Sequence, residues 1–399
     1  MTELNRPRLL HVFPTFDIGG AQRRFAQIAD QTTDLFRHSV SATDGQYGAR
    51  AIVRADIETL GQIDRNGNLF DRVTRYGRQL ALWSPDLLLT YNWGAIEWAL
   101  AGALSGIPRI HIEDGFGPEE ADKQLFRRVI FRRLVLPRSS AVVMPSRLLE
   151  TIALKTWRLP RKIVRYVPNG IDIAAAAPPA ARAAARAEIG VPAEARVVGW
   201  VGALRTEKNL SRLVRAFAML ADDAILVIAG EGPERATVES EAAKLGVRPR
   251  VRLLGTRKDI GALMPLFDVL ALSSDTEQMP LVVLEAMLAG LALASVDVGD
   301  VGQMVAPENG PFICERTDEG LARALAALLA DPPLRASVGR ANRVRVGTTY
   351  PLDRMIDTYV DLFTRALDGR FAARRAGSGL KTQPAMVGSS RPPGERRRA

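Results

Sequence analysis

The chain has 399 residues, 47% of them apolar and 25% charged, a globular composition over a length that predicts two domains rather than one. A single cysteine, Cys314, excludes an intramolecular disulfide and any cysteine-cluster metal site, and fits a reducing, cytoplasmic compartment. Much of the net charge of +10 gathers at the end, where Gly369 to Ala399 hold eight Lys or Arg against one Glu; this Gly-, Pro-, Ser- and Arg-rich stretch is expected to be a disordered basic tail, and without an aromatic stacking platform it argues against nucleic acid as a partner.

At the amino terminus, MTELNRPRLLHVFPTF places Glu3, Arg6 and Arg8 ahead of a short apolar run, so neither a secretory signal nor an N-terminal anchor is predicted. Short β-rich runs then alternate with amphipathic helical runs, the pattern of parallel α/β domains. In the first half, strands are expected in RLLHVFPT, HSVSAT, DLLLTYN, IPRIHIE and SAVVMPS, with one helix after DIGG and another from Ser146 to about Lys155. DKQLFRRVIFRRLVLPRSS, within 122–138, sets Phe126, Val129, Ile130 and Leu134 among Arg127, Arg128, Arg132 and Arg133. That pattern predicts a helix with an apolar stripe and a basic flank, able to lie on an anionic membrane surface.

Between Val167 and Pro192 the texture changes to a turn at Asn169 and Gly170 followed by an Ala- and Pro-rich segment, read as an interdomain linker. A second series follows: strand RVVGWVGAL, helix from Asn209, strand AILVIAGEG, helix from Glu234, strand VRLLGT, helix from Asp259, strand DVLALSS, helix from Leu281 and strand LALASVDV. The boundaries predicted are a first domain over 1–172, a linker over 173–192, a second domain over 193–350, a last helix over 351–368 and the tail over 369–399. The most apolar window, Pro280 to Val296, contains Glu285 and Gly290 and falls short of the ~20 clean residues of a membrane span.

In open parallel sheets ligands bind beyond the carboxyl ends of the strands. The strand DVLALSS ends near Ser274, Glu277 follows in a loop, and a helix begins near Pro280 or Leu281. Glu285 then lies about one turn in, roughly 6 Å along the axis, so both carboxylates can face one cleft. Backbone N–H groups at a helix start favour a phosphate. Carboxylates to either side accept hydrogen bonds from hydroxyls, which suits a sugar, a diphosphate and a ribose in sequence.

The first domain offers FPTFDIGGAQRRFAQI, where Gly19 and Gly20 allow close backbone approach at a helix start. It lacks the spacing of the dinucleotide fingerprint. IPRIHIEDGFGPEE sets His111 at a strand end beside Glu113 and Asp114, whereas His11 and His38 are expected to be structural. LLLTYNWGAIEW ends a strand with Tyr91, Asn92 and Trp93, which can form part of an acceptor pocket.

The stretch SSDTEQMPLVVLEAMLAGLALASVDVG closely resembles the signature of family 4 glycosyltransferases of the GT-B fold: a serine, a Glu, a short loop, an apolar run, Glu-Ala-Met, a Gly and a strand. The resemblance covers nearly the whole chain up to about Asp368. It implies two Rossmann-like domains facing across a cleft, the first on the acceptor side and the second binding a nucleoside diphosphate sugar, with the helices after Tyr350 able to cross back to the first. It further implies that Glu277 meets the transferred sugar and Glu285 the ribose, with the backbone of Met279, Pro280, Leu281 and Val282 at the phosphates. Gln278 and Met279 stand where a Gly and another apolar residue are more usual, which is expected to stiffen the loop and set donor preference.

VGALRTEKNLSRLVRAFAML is similar to the family segment whose Arg and Lys hold the donor diphosphate. Lys208 matches; Ala203 stands where the Arg is usual, and Arg205 can supply that cation from a shifted position. Gly230 and Glu231 in VIAGEGPER, and Thr256 and Arg257 in LLGTRKDIGALM, match positions that line the nucleotide cleft and meet the base. The Gly-Gly loop would approach the diphosphate from the opposite domain, and His111 would position and stabilise the transferred sugar. Family resemblance implies retention of anomeric configuration without an agreed protein nucleophile, the departing phosphate taking the acceptor proton. Lacking any Asp-x-Asp, the chain is expected to need no metal or other cofactor. The implied function is transfer of a sugar to a glycan or lipid-linked glycan in polysaccharide synthesis, in the cytoplasm or peripherally at the inner face of the plasma membrane. Two rival readings use the same donor: an epimerase on a similar scaffold, and a catalytically silent nucleotide-sugar-binding subunit.

Overall fold

The computed structural model describes residues 6–116, 120, 123–175, 186–192 and 194–377. In chain order the first domain comprises β1 (Arg8–Phe13), α1 (Gly20–Gln31), β2 (Arg37–Ala42), β3 (Glu58–Leu60), α2 (Leu69–Trp83), β4 (Leu87–Tyr91), α3 (Ile96–Leu104), β5 (Arg109–Ile112), α4 (Phe126–Val135), β6 (Ala141–Met144), α5 (Arg147–Lys155) and β7 (Val164–Tyr166). All its strands are parallel, in the order β3-β2-β1-β4-β5-β6-β7.

The second domain comprises β8 (Arg196–Val201), α6 (Leu210–Ala218), β9 (Ala224–Ala229), α7 (Arg235–Lys244), β10 (Val251–Leu253), β11 (Val269–Leu272), α8 (Leu281–Leu288), β12 (Ala292–Val296), β13 (Ile313–Cys314), α9 (Asp318–Ala330) and α10 (Pro332–Thr349). Its parallel order is β10-β9-β8-β11-β12-β13. A last helix, α11 (Leu352–Gly377), follows, and single-turn helices are left unlabelled.

Central strands such as β4, β9 and β12 are buried along their whole length. Parallel sheets covered by helices on both faces require such near-continuous apolar runs. The strands that the sequence did not predict, β3, β7 and β13, lie at sheet edges and are two or three residues long, too short for a period of two to show.

The buried cluster of the first domain includes Leu352, Met355, Tyr359, Phe363 and Leu367 of α11, which also contacts α1. Where the chain crosses, Ile171 N–H donates to Tyr350 O and Leu352 N–H donates to Ile171 O. Two expected boundaries change. Arg186, inside the expected linker, is folded against Asp268 at 2.8 Å, and Val191 belongs to the second core. Helix α11 runs past Gly369 to Gly377, so the first part of the expected tail is helical; residues 378–399 lie outside the described residues.

The segment expected over 122–138 is a helix from Phe126 to Val135, but its faces are not divided as predicted; Asp122 lies outside the described residues. Arg132 points inward with no exposure, bonded to Glu120 and stacked on Trp93, Phe116 and Trp157. A carboxylate partner and aromatic faces make that burial tolerable. Phe126 and Leu134 instead face solvent, 77% and 64% exposed. Among the described residues no helix is long and apolar enough to cross a membrane.

Candidate active site

In each sheet the strand order reverses beside the first strand of the domain, between β1 and β4 and between β8 and β11. Loops leaving adjacent strands there diverge to opposite faces and open a crevice. In the second domain the loop after β8 carries Lys208, and the loop after β11 carries Glu277. The two meet with Lys208 Nζ 2.6 Å from Glu277 Oε1, and the Ser274 hydroxyl donates to the same oxygen at 2.8 Å. Their loops are tied together. Ser273 Oγ donates to Lys208 O at 2.9 Å, and Arg212 bonds Ser273 O at 2.7 Å and pairs with Asp275 at 2.7 Å. Glu277 is thereby a fixed carboxylate, its side chain only 9% exposed.

Helix α8 starts four residues later, with Pro280 at its N-cap and no side-chain cap. Val283, Leu284, Ala286, Met287 and Leu288 are buried, leaving Leu281, Val282 and Glu285 on the more open side. Burial pushes the Glu285 carboxyl above the usual carboxylate range, opposed by the Arg23 guanidinium, which reaches from α1 of the other domain to 4.0 Å. Met279 is buried, and its carbonyl accepts from Asn169 Nδ2 at 2.8 Å. Asn169 also accepts from the buried Arg24, 3.1 Å away, and Arg24 pairs with Asp114 at 2.6 Å.

Gly19 is the N-cap of α1 and makes no side-chain cap; around Gly20 there is open space where a Cβ would stand. Gly230 is constrained differently, at φ +154° with Gly202 O only 1.7 Å from an added Cβ, so the two loops cross at a separation only glycine permits. Glu231 pairs with Arg235, Arg257 pairs with Asp259, and Thr256 is exposed. Arg205 is exposed at the start of the turn that carries Lys208.

His111 is the penultimate residue of β5 and completely buried, with Nδ1 2.9 Å from the Thr90 hydroxyl and Nε2 3.7 Å from Glu113. It is not brought together with Lys208 and Glu277; the residues that leave the strand end are Glu113, Asp114 and Gly115. Sequence reasoning missed Arg23, Ser274, Asn169 and Asp300. Arg23 lies in the quoted GGAQRRF, where its spacing from Gly20 was the available signal. Asp300 shows none, because its carboxylate acts on the other domain, accepting from the N–H groups of Arg147 at 2.6 Å and Leu148 at 3.1 Å.

Two family models match the chain, one after the other: the Glycosyl transferase 4-like domain over residues 19–170 and Glycosyl transferases group 1 over residues 181–345. The chain is 30% identical over 281 residues to the 2-deoxystreptamine glucosyltransferase of Streptomyces kanamyceticus, covering 65% of this chain and 72% of that protein. To the N-acetyl-alpha-D-glucosaminyl L-malate synthase of Bacillus anthracis it is 27% identical over 179 residues, 44% of this chain. That alignment spans about half, 47%, of the relative's own length. Among solved structures, Anabaena HepE in complex with UDP and glucose superposes with a TM-score of 0.79 at 20% identity, over 90% of this chain and all of that one. The fold is thus GT-B, and the chain belongs to the group 1 glycosyl transferases, of the family 4 type.

Proposed function

We propose that the protein moves a sugar from a nucleoside diphosphate donor to a hydroxyl of a glycan or lipid-linked glycan, with retention of anomeric configuration, in cell-surface polysaccharide synthesis. The observation that carries this reading is the Lys208–Glu277 pair, a cation and a carboxylate 2.6 Å apart at the switch point of the second sheet. Lys208 turns to the donor diphosphate and neutralises the charge that develops on it as the bond to the sugar breaks. Glu277 takes hydroxyls of the transferred sugar, Glu285 takes the ribose, and the backbone at the start of α8 takes the phosphates. The acceptor oxygen attacks the face the diphosphate leaves, and its proton goes to the departing phosphate oxygen. With Lys208 supplying positive charge, aided by the exposed Arg205, transfer needs no divalent metal.

Binding of UDP and glucose by the Anabaena protein supports a nucleotide sugar as donor. Phe126 and Leu134, exposed beside Arg127, support peripheral attachment to an anionic membrane at its inner face, which liposome flotation with and without anionic lipid tests. His111 is left as a buried support of β5.

The purified protein, offered a panel of nucleoside diphosphate sugars in the presence of EDTA, is expected to hydrolyse or transfer from one of them. Glu277→Ala and Lys208→Ala are each expected to lower that rate by ~100-fold or more. Tight donor binding without turnover would replace this reading with a silent binding subunit. Activity abolished by EDTA and restored by magnesium would overturn metal independence.

A further inference from the structure

Arg24 lies in α1 beyond the Gly19–Gly20 loop, on the buried side of the helix and 2% exposed. Its guanidinium grips the Asp114 carboxylate, with Nη1 2.6 Å from Oδ1 and Nη2 donating to Oδ2 at 2.8 Å. Nη1 also donates to Asn169 Oδ1 at 3.1 Å. A planar fork serves two partners at fixed angles, which an ammonium group does not.

Both partners lead to the loop that carries Glu277. Asn169 donates through Nδ2 to Met279 O at 2.8 Å and through its backbone N–H to Met279 Sδ at 3.1 Å. With a donor on one side and a carbonyl on the other, only an amide side chain in this orientation satisfies both. Asp114 is followed by Gly115, at φ +147°, where an added Cβ would stand 3.2 Å from Gln278 Cγ, so the exit from β5 abuts the residue after Glu277. The Asp114 N–H donates to Asn92 Oδ1 at 2.7 Å, and Asn92 is held at φ +54° and ψ −178°, a backbone conformation that strains any residue but glycine. An arginine buried for stability alone needs one carboxylate. Arg24 has that and, through Asn169, a link into the second domain.

We infer that Arg24 is a positioning residue for the transfer: through Asn169 and Asp114 it registers the loop over 277–279 against α1 and the end of β5, and so sets where Glu277 stands. The inference rests on the transferase reading for the role of Glu277 and adds to it the residue that fixes its place from the other domain. Arg24 acts through its partners and touches neither Glu277 nor Lys208 among the described contacts. Two variants separate this role from plain packing. Arg24→Lys keeps the charge beside Asp114 and gives up the bond to Asn169. Asn169→Asp keeps the acceptor for Arg24 and turns the donor facing Met279 O into a second acceptor.

The test is hydrogen–deuterium exchange of the full chain without donor, followed by kinetics. In each variant the amides over 277–282 are expected to exchange on the order of tenfold faster, the factor that one hydrogen bond supplies, while circular dichroism stays that of wild type. The radius of gyration is expected to stay unchanged as well, because Asp300 still bonds the start of α5. With the nucleoside diphosphate sugar that turns over fastest in the panel, kcat is expected to fall by roughly tenfold to 100-fold while the donor KM stays within a few-fold. The double variant is expected to lose no more than Asn169→Asp alone, since both substitutions cut one link. Packing alone predicts the reverse for Asn169→Asp, which adds a charge for Arg24 to pair with. Unchanged exchange and kcat in that folded variant, or additive losses in the double variant, would overturn the inference. Faster exchange in a chain that turns over no donor defeats the transferase reading alone, and turnover with both readouts unmoved in both variants defeats the positioning role alone.

Discussion

The ring of His38 is buried in the first domain, Nδ1 3.0 Å from Nε2 of His11 and Nε2 2.9 Å from the Thr32 hydroxyl, while His11 Nδ1 lies 3.0 Å from the Tyr91 hydroxyl. Burial lowers the His38 pKa from 6.5 to about 4, and lowers that of His11 in the same direction. Between these values the unfolded chain binds a proton that the folded chain refuses, so the contribution of His38 is complete above pH 6.5 and lost as the pH falls toward 4. The shift corresponds to about 3 kcal/mol. Urea denaturation at pH 7.5 and pH 4.5 should show that loss, and His38→Gln should flatten it; an unchanged slope in the variant would assign the acid sensitivity elsewhere. Structural roles for His11 and His38 were legible because both lie on strands. The burial of the His111 ring was not legible, since on a strand buried on both faces the sequence does not say which side a ring takes. Arg23 carried only its spacing from Gly20 as a signal, because its partner Glu285 is far away in the chain.

The loop between β11 and α8 has little structure of its own and is held by what lies behind it. Gly299, in the turn after β12, has φ +56°, and an added Cβ would stand 2.5 Å from Glu277 O and 2.8 Å from Gln278 O. Asp300 N–H also donates to Gln278 O at 2.9 Å. Gly299→Ala therefore cannot be accommodated without moving Glu277 away from Lys208 and Ser274. Displacements of about 1 Å at a reacting group cost on the order of 100-fold, so kcat is expected to fall by that order while the nucleoside diphosphate, on the proposed site at the start of α8, binds within a few-fold of wild type. Equal loss of donor affinity and turnover would show that the turn supports the whole domain and not this loop. The helix and both glutamates were legible as an apolar run broken by two charges. The hydrogen bond from the Ser146 hydroxyl to Gln278 Oε1, 3.0 Å, was not, because a contact between domains has no local period.

Among the described residues, the contacts that close the cleft include Asp300 with the start of α5, Ser146 with Gln278, Asn169 with the Met279 carbonyl, and Arg23 with Glu285. They differ in strength. Asp300 is 2% exposed and accepts two N–H bonds at a helix start that favours a negative charge; bonds to a charged acceptor are each worth about 1.5–3 kcal/mol. Arg23 and Glu285 stand 4.0 Å apart with side chains 43% and 26% exposed, a geometry worth at most ~1 kcal/mol after solvent screening. The polypeptide crossover at Ile171 and Leu352 ties the domains together whether the cleft is open or closed, because α11 is packed into the first core. Closure without donor is therefore set by Asp300 and not by the ion pair that spans the proposed donor site. Small-angle scattering of the unliganded protein is expected to show a larger radius of gyration for Asp300→Ala and no change for Arg23→Ala. Nucleoside diphosphate should return the Asp300 variant toward the wild-type value if, as proposed, its phosphates bridge the Gly19–Gly20 loop and the start of α8. An Arg23→Ala protein that opens as far as Asp300→Ala would show instead that the charge across the donor site holds the domains together.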